Sequence, residues 1–167
     1  TWWSEMALRI ATVLAAGMIM ALAGCGFRLQ GRVPLSSALT ITHVAADDIQ
    51  SDFVQDLRRA LLASGVRLAA TPGEATAVIE IERDELAERI LSVSARNIPR
   101  EYELTYSVRI RVMRGERELL ASEDIAVTRD FSFDERIVLA KEREKETLRA
   151  ALARDLVGIV MRRLSSL

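Results

Sequence analysis

The sequence predicts an α+β domain, a two-layer sandwich with two helices on one face of a four-stranded mixed sheet, in the order β-α-β-β-β-α. Three observations carry that prediction. Residues 102–112 alternate without a break: Tyr102, Leu104, Tyr106, Val108, Ile110 and Val112 fall on one side, and Glu103, Thr105, Ser107, Arg109 and Arg111 on the other. That is a half-buried antiparallel strand with one wet face. Two other segments repeat apolar residues at helical spacing, one through Phe53, Leu57, Ala60 and Leu61, the other through Leu148, Leu152, Leu156 and Ile159. Finally, 8 glycines and 3 prolines in 167 residues leave little room for linkers.

Taken in order, "TITHVA" (40–45) alternates and is rich in β-branched residues, a first strand. The helix that follows has Ser51 placed to cap it, acidic residues near its start to suit the helix dipole, and Ser64–Gly65 to end it. "TPGEA" (71–75) is a turn. In "AVIEIER", Ile79 and Ile81 oppose Glu80 and Glu82; the pattern blurs over "DELAE" and resumes in "RILSVSA". One long strand with a bulge accounts for this. "RNIPR" (96–100) breaks it, and the strand of residues 102–112 follows. "RGE" (114–116) is a hairpin turn, and Ile125, Val127, Phe131 and Phe133 alternate along the returning strand. The last helix runs from Glu135 to Leu164, its first half highly charged. The first helix joins parallel neighbours by a right-handed crossover, the later strands form a meander, and the polar face of the sheet stays open or meets a partner.

The N-terminus belongs to a different class of segment. Residues 10–24 are apolar and uncharged, preceded by Arg9 and closed by small residues, which is the pattern of a secretory signal. The run is short of the roughly 20 apolar residues that span a bilayer. Met6 is a better initiator than the preceding "TWWSE", so residues 1–5 read as an extension of the gene. The run ends in "LAGC", which resembles a bacterial lipobox, with the single cysteine of the chain, Cys25, as the lipidated residue. A thiolate is the nucleophile suited to accepting a diacylglycerol group, and several acyl chains, at about 0.8 kcal/mol per buried methylene, make a stable anchor. The division expected is a signal over 1–24 and one lipid-anchored domain over 25–167. With no second cysteine, that domain has no disulfide and stands on its core. Gly26 after the cysteine resembles lipoproteins sorted to the outer membrane.

Little in the sequence points to catalysis. His43 is the lone histidine, so no HExxH, CxxC or Ser-His-Asp set can be assembled, and there is no phosphate-binding glycine loop. We expect no enzyme, no metal and no cofactor. The net charge of −1 argues against nucleic acid as a partner. Most carboxylates stand beside arginines, as solvated ion pairs do. The cations are more informative: Arg96 and Arg100 flank one turn, while Arg129, Arg136, Lys141, Arg143 and Lys145 gather around the start of the last helix. Arginine's planar fork suits phosphate.

These features together resemble the LPS-assembly lipoprotein family LptE. "GCGFRL" (24–29) is similar to the family's lipidated start, "LRRALLASGV" to its first helix and exit, and "RN" (96–97) before "EYEL" (101–104) to its turn and third strand. "RDFSFD" (129–134) followed by "LAKEREKETL" (139–148) is the most specific piece. The resemblance implies the same two-helix, four-stranded sandwich, a subunit that plugs the lumen of the outer-membrane β-barrel LptD and supports its assembly, and binding of lipopolysaccharide and help in its insertion. It implies an outer-membrane location, lipid-anchored and periplasm-facing, inside the barrel lumen. It also carries lipopolysaccharide binding to Arg96 and Lys141. Because "RNIPR" holds Pro99 and is one residue shorter than the family turn, Arg100 can share or take the role of Arg96. The alternative function is a generic lipid-anchored periplasmic adaptor that binds other envelope proteins through the open sheet face.

Overall fold

The computed structural model describes residues 2–3, 35–132 and 138–167, with side chains for all of these but 138–142. The chain divides into two units, Thr1–Gly31 and Arg32–Leu167. The signal segment, Cys25, Phe133 and Arg136 lie outside the described residues, and so do the beginning of the last helix at Glu135 and the side chain of Lys141.

In the second unit, β1 (Ile41–Ala46) leads into α1 (Asp52–Ala63), followed by β2 (Arg67–Leu68), β3 (Ala77–Val93), β4 (Pro99–Arg114), β5 (Arg117–Ser132) and α2 (Val138–Ser165). The sheet order is β2-β1-β3-β4-β5. The expectation of four strands is therefore corrected to five, and the order to β-α-β-β-β-β-α. The added strand is two residues long and pairs parallel to β1, Ile41 opposite Arg67 and Thr42 opposite Leu68. Two residues carry no readable period; they pair because the exit of α1 delivers them alongside β1. β1 and β3 are parallel, while β3, β4 and β5 form an antiparallel meander.

Local chemistry explains the ends of α1. The Ser51 hydroxyl accepts from the Val54 amide at 3.2 Å, an N-cap. At the other end Gly65 adopts φ +88°, the left-handed conformation that glycine takes without a Cβ clash. Its amide donates to the Leu62 carbonyl, and the Val66 amide to that of Leu61. This pair of bonds is a Schellman stop, and the buried Leu61 and Val66 supply its apolar contact.

The core lies between the helices and one sheet face. Phe53, Val54, Leu57 and Leu61 of α1 and Leu152, Leu156, Val160 and Leu164 of α2 meet Val44, Ile79, Ile81, Leu104, Val108, Ile110 and Val112. Leu39, in a short 3-10 turn ahead of β1, is also fully buried, and the Thr42 hydroxyl beneath it donates to the Leu39 carbonyl at 2.9 Å. His43 is a structural residue of the small edge. A carbonyl only accepts, so Nδ1 carries the proton that it donates to the Ala69 carbonyl, at 3.1 Å.

β3 carries a bulge as expected, but between Ile81 and Arg83, ahead of "DELAE", with further register shifts between Ile90 and Val93. It coincides with the end of β1, whose pairing with β3 stops at Ala46 opposite Ile81. Beyond that point β3 keeps only β4 as a neighbour among the described residues. The extra residue lets Glu82 reach Arg111 and Ser122 while Arg83 reaches Asp124.

Candidate functional site

Strand register decides which of the predicted cations are available. On the open face of the sheet, residues directly opposite each other pair: Arg109 with Asp124, Arg111 with Glu80, Arg89 with Glu103, and Thr105 with Thr128. Such cross-strand pairs stabilise a sheet by fractions of a kcal/mol. Asp124 also receives Arg83, and these guanidiniums, Arg109 first, hold its carboxyl below the usual carboxylate range. Arg83, Arg89, Arg109 and Arg111 of the open face are therefore all met by carboxylates.

Two cations of the predicted cluster are engaged in the same way. Arg129 donates to Asp155 at 2.7 Å, and Lys145 pairs with Glu88. Arg96 and Arg100 differ. Both are exposed, and neither has an ion-pair partner among the described residues. They flank the turn between β3 and β4, where Asn97 takes φ 60° and its amide donates to the Ser94 carbonyl at 2.9 Å. Asparagine is among the side chains that tolerate this left-handed conformation. Arg100 lines an open depression of about 470 Å³ together with Val93, Ser94 and Glu101.

The position of Lys141 follows from the path of α2. Going backward along the helix, Arg163 meets Glu123, Asp155 meets Arg129, Arg149 meets Asp52, and Lys145 meets Glu88. From Arg163 to Lys145 the contacts pass from the row of Ile110 to the row of Leu104, toward the β3–β4 turn, while Arg129 and Glu88 share that last row, so the helix crosses the strands obliquely. Lys141 sits one turn before Lys145, about 6 Å farther along. From Glu88 to Ser94 the strand advances roughly 20 Å. The helix start and the turn thus lie toward the same end of the sheet.

Behind this end lies a polar clamp that sequence reasoning missed. Tyr106 is 4% exposed; its hydroxyl donates to Asp84 and accepts from the Phe53 amide at the start of α1. Ser51 also donates to Asp84, and Arg149 donates to Asp52 at 2.7 Å. Burial first, then the Asp84 carboxylate, pushes the phenol far above its ordinary pKa, so it stays protonated as the donor. The clamp ties both helices to β3 and β4 just where β3 leaves the core. Its signal in the sequence was weak: Asp84 falls in the blurred part of β3. Among the described residues no three His, Cys, Asp or Glu side chains converge as metal ligands.

Comparison with known proteins agrees with this architecture. A family model described as "LptE: Lipopolysaccharide-assembly" matches residues 37–164. Among solved structures, lipoprotein B of Nitrosomonas europaea is 27% identical, covers 84% of this chain and 91% of its own, and superposes with a TM-score of 0.71. The rare lipoprotein B of Shewanella oneidensis is 24% identical over 75% of this chain and 94% of its own, with a TM-score of 0.66. A minor lipoprotein of Acinetobacter baumannii shares the fold at 17% identity, covering 80% of this chain and 94% of its own, with a TM-score of 0.65. Comparison with curated proteins returns no match.

Proposed function

Because the chain belongs to the LptE lipopolysaccharide-assembly family, we propose that it is a non-catalytic outer-membrane lipoprotein, anchored through Cys25, that plugs the lumen of an LptD-type β-barrel, supports its assembly and binds lipopolysaccharide. The family match over most of the folded unit is the observation that carries this reading. Two features of the fold support it. The open sheet face is polar, its arginines already paired with carboxylates, and such a face suits the polar interior wall of a large barrel. Opposite it, the turn end presents Arg96 and Arg100, with Lys141 on the helix alongside.

Lipid A carries phosphates and acyl chains, and the long apolar stems of Arg and Lys lie along apolar groups while their heads meet phosphate. Each well-placed charge-assisted contact contributes about 1.5–3 kcal/mol.

The test is lipopolysaccharide binding by Arg96→Asp/Lys141→Asp protein, with circular dichroism as the folding control. Most of the binding should be lost while the fold is kept. Wild-type affinity in the folded double variant contradicts the site; a loss that requires Arg100 to be changed as well shifts the site along the turn. Depletion of the protein should lower the amount of correctly assembled barrel, and normal barrel levels contradict the plug. Mass spectrometry of the mature N-terminus should find an acylated Cys25.

A further inference from the structure

The sheet does not end where its core ends. Ile90 stands opposite Tyr102, and Tyr102 opposite Phe131, so one row of apolar side chains crosses three strands on the helix-bearing face. The rings of Tyr102 and Phe131 stack with centroids 5.3 Å apart. Phe131 is buried, yet Ile90 at the head of the row is 51% exposed. Val93, farther along β3 and 50% exposed, stands opposite Pro99, the residue before Arg100. Between Leu86 and Ile90 on the same face, the charge of Glu88 is already met by Lys145. Glu101 falls on the opposite face by alternation and accepts from Ser92.

We propose that this row, with Val93 beyond it, seats acyl chains of the anionic lipid whose phosphates Arg96 and Arg100 meet. The inference rests on the lipopolysaccharide-binding reading above and extends it to the apolar half of the ligand. Two arguments select a lipid over a protein occupant. Three strands at ordinary spacing make a shelf about 10 Å across, whereas a stable protein interface takes roughly 800 Å² from each partner. And the shelf ends at the turn: Val93 stands opposite Pro99, next to Arg100, and neither turn arginine has a carboxylate partner among the described residues, so cation and apolar surface lie in the order in which such a lipid presents phosphate and chain.

The experiment compares two ligands on the full-length protein in detergent: intact lipopolysaccharide and its fully deacylated, still phosphorylated saccharide. In Ile90→Ser/Val93→Ser protein, with folding checked by circular dichroism, affinity for the intact lipid should fall roughly tenfold, the effect of about two methylene groups left unburied. Affinity for the deacylated saccharide should stay as in wild type. Unchanged binding of the intact lipid by the folded variant overturns the shelf while leaving the parent reading in place. So does an equal loss of both ligands, or retained lipid binding accompanied by loss of barrel co-purification, which assigns the row to a protein contact. If the wild type binds neither ligand, the parent reading fails, and the shelf with it.

Discussion

Between Ala77 and Ile81, β3 runs between β1 and β4 and buries every second residue; between Glu82 and Val93 it keeps β4 but not β1. Leu86 and Ile90 continue the inward alternation, yet remain 37% and 51% exposed. The same strand therefore serves two purposes, and the difference lies in what covers it. β1 is 6 residues and α1 is 12, so both stop well short of the 17-residue β3. One half of the strand holds the fold together, and the other keeps apolar side chains exposed.

The largest expected effect sharpens that division through stability. Leu156→Ala, in the fully buried stripe of α2, should lower unfolding stability by about 3 kcal/mol, the usual scale for a leucine truncated in a core. Ile90→Ala, on the same sheet face, should change it by less than about 0.5 kcal/mol. Urea titrations of both variants compare them directly, and similar losses would mean that the outer row belongs to the core after all.

An intermediate effect lies at the boundary between the halves. Tyr106→Phe removes a buried donor to Asp84 and should cost about 1–2 kcal/mol. Ser51→Ala removes the other donor and the helix cap, at about 1 kcal/mol. Since both hydroxyls serve one carboxylate, the double variant should depart from the sum. Additive losses would show that the clamp is not one unit.

The smallest effect belongs to the open face. Arg109 and Arg83 lower the folded-state pKa of Asp124 below its ordinary 3.8. The resulting contribution is complete above the unfolded-state value and disappears as pH falls through the lower folded-state value. It is modest, because the group is solvent-exposed and screened. Asp124→Asn should lower the neutral plateau slightly, leave the stability at low pH nearly unchanged, and so flatten the acid limb. A steeper acid limb in the variant would contradict this assignment.

The sequence was most legible where one element declares its own face. Six inward apolar residues in unbroken alternation marked β4, and Ser51 and Gly65 marked the ends of α1. β2 was invisible because a two-residue strand is made by its neighbour rather than by its own pattern. Leu39 was missed for a similar reason: a 3-10 turn has too few residues to show a period, yet this one is fully buried. The free outer half of β3 was half legible. The highly charged first half of α2 was plain in the sequence. In the strand, however, Leu86 fell in the blurred stretch "DELAE", because the bulge after Ile81 shifts the inward period by one residue. Of the cations, sequence grouped Arg96, Arg100, Arg129 and Lys145 as candidates; only register and ion pairing separated the engaged pair, Arg129 and Lys145, from the turn arginines.

The central claim is that binding belongs to the turn end and folding to the other. Amide hydrogen exchange of the detergent-solubilised protein, with and without lipopolysaccharide, tests it most directly. Added protection should appear at residues 86–103 and in the first turns of α2, and none at the opposite hairpin around Gly115. Protection centred on the 114–117 hairpin, or no change at the 94–98 turn under saturating ligand, would contradict the account.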